Sequence, residues 1–150
     1  MVSNYDTPIR TSRDGKLFEP AEDHSFVGDR YIHGTAGEGL TIMNVCALQS
    51  DGGWDQADAD VEAETDALIA IACATVNGAD TVNLVLAPAI VRDNTLALTI
   101  GAPIYISNTP GGIVQTAPAG VGDFVRKIGY ALTADTWLFE GYGAVVVVPA

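Results

Sequence analysis

Residues 40–56 read LTIMNVCALQSDGGWDQ, and residues 98–115 read LTIGAPIYISNTPGGIVQ. The two stretches present the same landmarks in the same order. Leu40-Thr41-Ile42 recurs as Leu98-Thr99-Ile100, and each is followed by an apolar stretch, Val45–Leu48 and Pro103–Ile106. A glycine pair comes next, Gly52-Gly53 in one and Gly111-Gly112 in the other. Each pair leads to a large apolar residue and, two positions on, a glutamine: Trp54 and Gln56, then Ile113 and Gln115. A short apolar run that ends on a glycine pair reads as a strand turning into a hairpin.

The correspondence extends toward the C-terminus. Ile71-Ala72-Cys73-Ala74 matches Ile128-Gly129-Tyr130-Ala131, and Ala79-Asp80-Thr81-Val82 matches Ala134-Asp135-Thr136-Trp137. The spacing between copies drifts from 58 to 59, then 57, then 55, and each change falls among Gly, Pro or polar residues, where loops absorb insertions. We read an internal duplication. Each copy carries a strand at Val45–Gln49 or Ile104–Asn108, a return strand at Trp54–Gln56 or Ile113–Thr116, a longer strand at Ala67–Thr75 or Phe124–Leu132, and a last one at Thr81–Leu86 or Thr136–Phe139.

The expected fold is all-β: internally duplicated small β-barrel or sandwich modules, with residues 34–92 as the first and 93–150 as the second, separate or merged into one domain. The Gly-rich run Gly34–Gly39 reads as a hinge before the first module. Residues 1–33 have no twin and no sustained period, and read as an extended N-terminal arm with apolar anchors at Tyr5, Ile9, Leu17, Phe18, Phe26 and Tyr31.

Composition agrees. Val, Ile and Thr number 15, 11 and 13 among 150 residues, and such β-branched side chains pack well on a pleated sheet. Lys occurs only at positions 16 and 127, a poor supply for solvated helix faces. The formal net charge is −12, which argues against nucleic acid and anionic membranes as partners. Residues 1–33 hold Arg10, Arg13, Lys16 and Arg30 against six acids, so most of the negative charge lies in the modules. The N-terminus shows no apolar signal core.

Chemistry-bearing motifs are scarce. His24 and His33 lack metal-ligand spacing, and together with Cys46 and Cys73 they make no zinc pattern. Cys46 and Cys73 read as small buried thiols. Between Asp55 and Asp66 carboxylates alternate with small residues, but the twin of this run, Thr116–Asp123, is a Pro/Gly loop. The acidic run is therefore read as a solvated loop, with a weak divalent-ion site as the alternative. There is no phosphate-cradling glycine motif and no nucleophile elbow. The expectation is a non-enzyme without cofactor or metal; a small hydrolase would need two of the nineteen acids close together in a concave pocket. Tyr105, Tyr130, Trp137 and Phe139 fall in strands and read as core and cross-strand packing.

The series Gly101–Ser107, Gly111-Gly112, Thr116-Ala117-Pro118, Val125, Ile128–Ala131 and Trp137-Leu138-Phe139 resembles the capsid cement (decoration) proteins of tailed bacteriophages. In the first copy, Trp54–Asp60 and Leu68–Ala72 are similar in the same way. The resemblance covers residues 36–148; the unmatched arm and the Ala72/Gly129 difference depart from it. It implies a structural virion protein, made in the host cytoplasm and bound to the outer surface of the capsid. There it would contact the major capsid protein and itself, as a homo-oligomer expected to be a trimer, and bridge capsomers. Arg10, Arg13, Lys16 and Phe18 are the expected shell contacts. The alternative is a head-fibre, tail or adhesion module with a carbohydrate partner, which would display Trp54, Trp137 or Tyr142 on its surface.

Overall fold

The computed structural model describes Pro20 and residues 22–150. Twelve strands and one short helical turn make up the described chain. The first five barrel strands are β2 (Tyr31–Ala36), β3 (Val45–Leu48), β4 (Gly53–Gln56), β5 (Ile69–Ala72) and β6 (Thr81–Val85). They close in the order β2-β4-β3-β5-β6. The remaining strands are β1 (Ser25–Gly28), β7 (Ala89–Arg92), β8 (Pro103–Ile106), β9 (Ile113–Val114), β10 (Phe124–Ala131), β11 (Thr136–Phe139) and β12 (Val145–Val147). They form an open sheet, β1-β7-β11-β10-β8-β9, with β12 paired to β10. The helical turn α1 spans Glu62–Thr65.

Strand pairing repeats between the halves at the spacings read from sequence. The pair Ala72↔Leu84 of β5–β6, moved by 57 and 55, becomes Gly129↔Phe139, a pair formed by β10–β11. The pairs Ala47↔Asp55 and Leu48↔Trp54 of β3–β4, moved by 58 and 59, become Tyr105↔Val114 and Ile106↔Ile113 of β8–β9. Leu40 and its twin Leu98 each donate their N–H to a loop carbonyl, Val76 O and Ala134 O respectively. The register departs where β10 faces β8: Pro103, Ile104 and Tyr105 pair with Tyr130, Gly129 and Lys127, one or two residues beyond the places that β3–β5 and the spacings of 58 and 57 give, with a bulge between Lys127 and Gly129.

The match also reveals a pair of twins that the sequence hid. Thr35↔Thr81 in β2–β6 corresponds to Arg92↔Thr136 in β7–β11, so β7 is the twin of β2. This corrects the expected boundaries. The first module starts at Tyr31 rather than residue 34, and the second starts at Ala89 rather than residue 93. Gly34 lies inside β2, so Gly34–Gly39 is not simply a hinge. The latter part of the expected arm is integrated too, because β1 pairs with β7 along its whole length, from Ser25↔Arg92 to Gly28↔Ala89.

Two apolar clusters hold the fold. Ala36, Leu40, Cys46, Trp54, Ala70, Ala72, Val82 and Leu84 fill the first barrel. The alternate residues of its strands, Val45, Ala47, Ile69, Ile71 and Val85, pack into a second cluster with Val91, Ile104, Ile106, Ile128, Trp137 and Phe139 of the open sheet. Central strands β3 and β5 are thus buried on both faces, which is why they read as unbroken apolar runs. The two copies share a core and form a merged unit: a closed barrel with an open sheet wrapped on its flank. Main-chain bonds cross the junction, from Val45 N to Gly111 O, Gly111 N to Ala57 O, and Phe124 N to Ala59 O.

Candidate functional site

The copies differ at the strand that closes the barrel. In the first module β2 pairs in parallel with β4 through Thr35↔Gly53 and Ala36↔Trp54. Among the described residues, the twins β7 and β9 do not pair; β7 takes β1 as its second neighbour instead. The gap is a cleft of about 310 Å³, lined by Val91, Asp93, Leu96, Ile113 and Trp137 of the second copy and by Ile42, Met43 and Asn44 of the first. Its volume sits at the low end for small-ligand sites.

Side-chain size accounts for this difference. In the closed barrel, a Cβ on Gly34 would lie 2.6 Å from the Trp54 indole, so the glycine makes room for the tryptophan. At the corresponding places the second copy carries Val91 and Ile113, which both line the cleft. The second copy thus sets a branched valine and an isoleucine where the first sets a glycine and a tryptophan, and its own Trp137 lines the cleft.

One polar group lies at the mouth of the cleft. Asp93 follows β7 directly, and the turn before β1 brings His24 and Asp23 to it. His24 Nε2 stands 3.7 Å from Asp93 Oδ1, and His24 Nδ1 stands 3.7 Å from Asp23 Oδ2. The turn is anchored: Asn94 N donates to Asp23 Oδ1 at 2.7 Å, and Arg92 Nη1 donates to Pro20 O at 3.2 Å. Asp93 Oδ1 accepts from Thr95 N and Thr95 Oγ1. Sequence spacing kept His24 and Asp93 apart; only the β1–β7 pairing brings them together. His33, the other histidine, lies on β2 and bonds through Nδ1 to Asn83 Oδ1 at 2.7 Å.

The acidic run, expected as a solvated loop, leaves β4 through a turn and ends in the short helix α1. Asp58 Oδ1 accepts from Asp60 N, and Thr65 is buried with its hydroxyl donating to Asp58 O and Val61 O. Burial, then the nearby Glu38 and Asp51 carboxylates, raises the Asp55 carboxyl above its usual range. Burial also raises Glu64, with Asp58, Glu38 and Asp55 adding to it. These groups form one negative face on the first module.

A buried cation pins that face to the second module. Arg126 of β10 donates from Nη1 to Thr65 O and Ala67 O at 2.7 and 2.6 Å, and from Nη2 to Gly141 O at 2.7 Å. Its Nε is buried without a partner among the described residues. Burial lowers its pKa, opposed by the Asp66 carboxylate.

The expected contacts Arg10, Arg13, Lys16 and Phe18 lie outside the described residues. Of the aromatics that a sugar-binding surface would display, Trp54 and Trp137 are buried and Tyr142 is exposed. Trp137 and Phe139 pack edge-to-face with centroids 5.7 Å apart, as expected for core residues. Tyr130 lies at the surface with Lys127 Nζ 4.7 Å above its ring. Cys46 is buried in β3 and its thiol is pushed up to about 12, chiefly by burial, so it is chemically quiet. Comparison of the chain with protein-family models, curated proteins and solved structures finds no match.

Proposed function

We propose that the protein is a structural virion component, a capsid cement protein that binds the outside of an assembled phage shell and bridges its subunits as a homo-oligomer. The observation that carries this reading is the C-terminal edge. Strand β12 follows β11 along β10, through Phe124↔Val147, Val125↔Val146 and Arg126↔Val145. Among the described residues its other edge has no strand partner. Val146 and Val147 are 61% and 50% exposed, and Val121 and Tyr142 are exposed too. An uncharged, apolar strand edge is a surface that proteins ordinarily shield, and it offers main-chain donors and acceptors to another chain. On a chain of net charge −12, such an edge fits a specific protein contact repeated many times on a shell. The burial of Trp54 and Trp137 weighs against the carbohydrate-binding reading.

The test is cosedimentation with purified cognate shells. The full chain should pellet with them, and Val146→Lys with Val147→Lys should reduce the bound fraction at least about tenfold while leaving the β-rich circular dichroism spectrum intact. Removal of residues 1–19 then asks whether Arg10, Arg13, Lys16 and Phe18 contribute. That cut spares β1 and β2, which removal of residues 1–33 would not. If the full chain stays in the supernatant at every ratio, the cement reading is wrong.

A further inference from the structure

The geometry points to a divalent transition-metal site at Asp23, His24 and Asp93, with zinc as the fitting ion, that clasps the strand β1 onto the second module. One donor atom from each residue lies within 4.8 Å of the other two. An imidazole nitrogen with two carboxylate oxygens is a zinc-type donor set, whereas calcium and magnesium favour oxygen alone.

The spacing leaves room for an ion between the groups. At 3.7 Å, the His24 Nε2 to Asp93 Oδ1 distance is too long for a hydrogen bond, which ends at about 3.2 Å. Two donors each about 2.0–2.1 Å from a tetrahedral zinc stand about 3.4 Å apart. One ion takes one ring nitrogen of His24, so donor atoms that now lie within 4.8 Å of one another would draw together around it. Among the described residues, the ion pairs of Asp23 and Asp93 are with His24 alone. The nearest basic side chain in the turn, Arg92, is committed to Asn94 Oδ1 and Pro20 O.

The place in the fold gives the site its consequence. The residues come from two segments that only the β1–β7 pairing brings together. Asp23 is held by bonds from His24 N and Asn94 N to Oδ1, which leaves Oδ2 toward the imidazole. Asp93 also lines the cleft, so the remaining coordination positions have a concave space beside them. The first module closes its barrel with β4; the second would fasten β1 with an ion.

Titration of the full chain with zinc chloride in a calorimeter tests this. One saturable site is expected, weakened at least about tenfold by His24→Ala and by Asp93→Asn, and unchanged by Asp51→Asn on the acidic face. Equal binding by His24→Ala and the unsubstituted chain would overturn the proposal. A second measurement does not depend on any variant folding. In the unsubstituted chain, zinc should shift the ring proton resonances of His24 and spare those of His33. Movement of neither set, or of His33 alone, would also overturn it. Neither readout involves shells, so the clasp and the cement reading stand or fall separately.

Discussion

The two copies begin from one plan and end as different objects. The first closes on itself: β2 reaches β4, Trp54 fills the interior, and Gly34 yields the space. The second keeps the same strand order and, outside the β8–β10 pair, the same register, yet β7 and β9 stay apart and a cleft lies between them. Two equivalent positions bear on this, held by Gly34 and Trp54 in one copy and by Val91 and Ile113 in the other. The open copy does not expose its inner face, because the flank of the closed barrel covers it with Val45, Ala47, Ile69, Ile71 and Val85. Duplication here lets one copy act as the plug of the other. A tightly packed first barrel is then a condition for the second sheet to have a core at all.

The largest effect should come from forcing the open copy's side chains onto the closed one. Gly34→Val places branched atoms where even a Cβ would be 2.6 Å from the Trp54 ring. A cost of about 3 kcal/mol is expected, the upper part of the overpacking range. Trp54→Ile should cost a similar amount, by leaving a cavity. The two together should cost at least about 1 kcal/mol less than their sum, since each relieves the other's fault. Urea unfolding of the three variants measures this, and strict additivity would refute the size-exchange account.

A smaller effect tests how the copies are fastened. Arg126 stands where the 57-residue spacing puts Ile69 in the first copy, so the exchange of isoleucine for arginine is specific to the second. Arg126→Met should cost about 3 kcal/mol, because it removes three charge-assisted bonds and leaves the carbonyls of Thr65, Ala67 and Gly141 to find other partners. Hydrogen exchange should speed up most at α1 and in the turn at Gly141. Uniform acceleration across the barrel would mean that Arg126 supports the core rather than the junction.

Much of this difference was invisible in the sequence, for physical reasons. The spacings of 58, 59, 57 and 55 carried the register of the pairs β3–β4 and β5–β6 onto their twins, because each strand has a strong apolar or glycine landmark, but not that of β3–β5, which the bulge in β10 shifts. Strand β2 was missed because its inward positions are Ile32, Gly34 and Ala36, small where Trp54 needs room, so the alternation carries little hydrophobic contrast. Its twin β7 was lost with it, and so was the module boundary. Strand β1 is four half-buried residues that take their conformation from pairing with β7. The meeting of His24 with Asp93 depends on that pairing, so no local pattern records it. Ala72 against Gly129 did register as a departure, and the structure supplies its cause: a Cβ on Gly129 would lie 1.9 Å from Leu138 O beside the bulge.

The smallest expected effect separates the copies by charge. Asp55 and Glu64 both have carboxyls raised by burial and by neighbouring acids, and both belong to the first module. A carboxyl raised in the folded state binds its proton more tightly there than in the unfolded chain, so its contribution to stability is present at low pH and lost as pH rises through the folded value. Above the carboxylate range these two groups therefore work against the fold, and lowering the pH from neutrality toward 5 should relieve part of that. Asp55→Asn should reproduce the gain at neutral pH and flatten the dependence, by only a few tenths of a kcal/mol because the group is largely solvated. Thermal melts of both proteins between pH 5 and 7, at low and high salt, measure it. A slope left unchanged by Asp55→Asn would place the repulsion outside the face formed by Glu38, Asp51 and Asp55, and would take from the first module an electrostatic feature that distinguishes it from its twin.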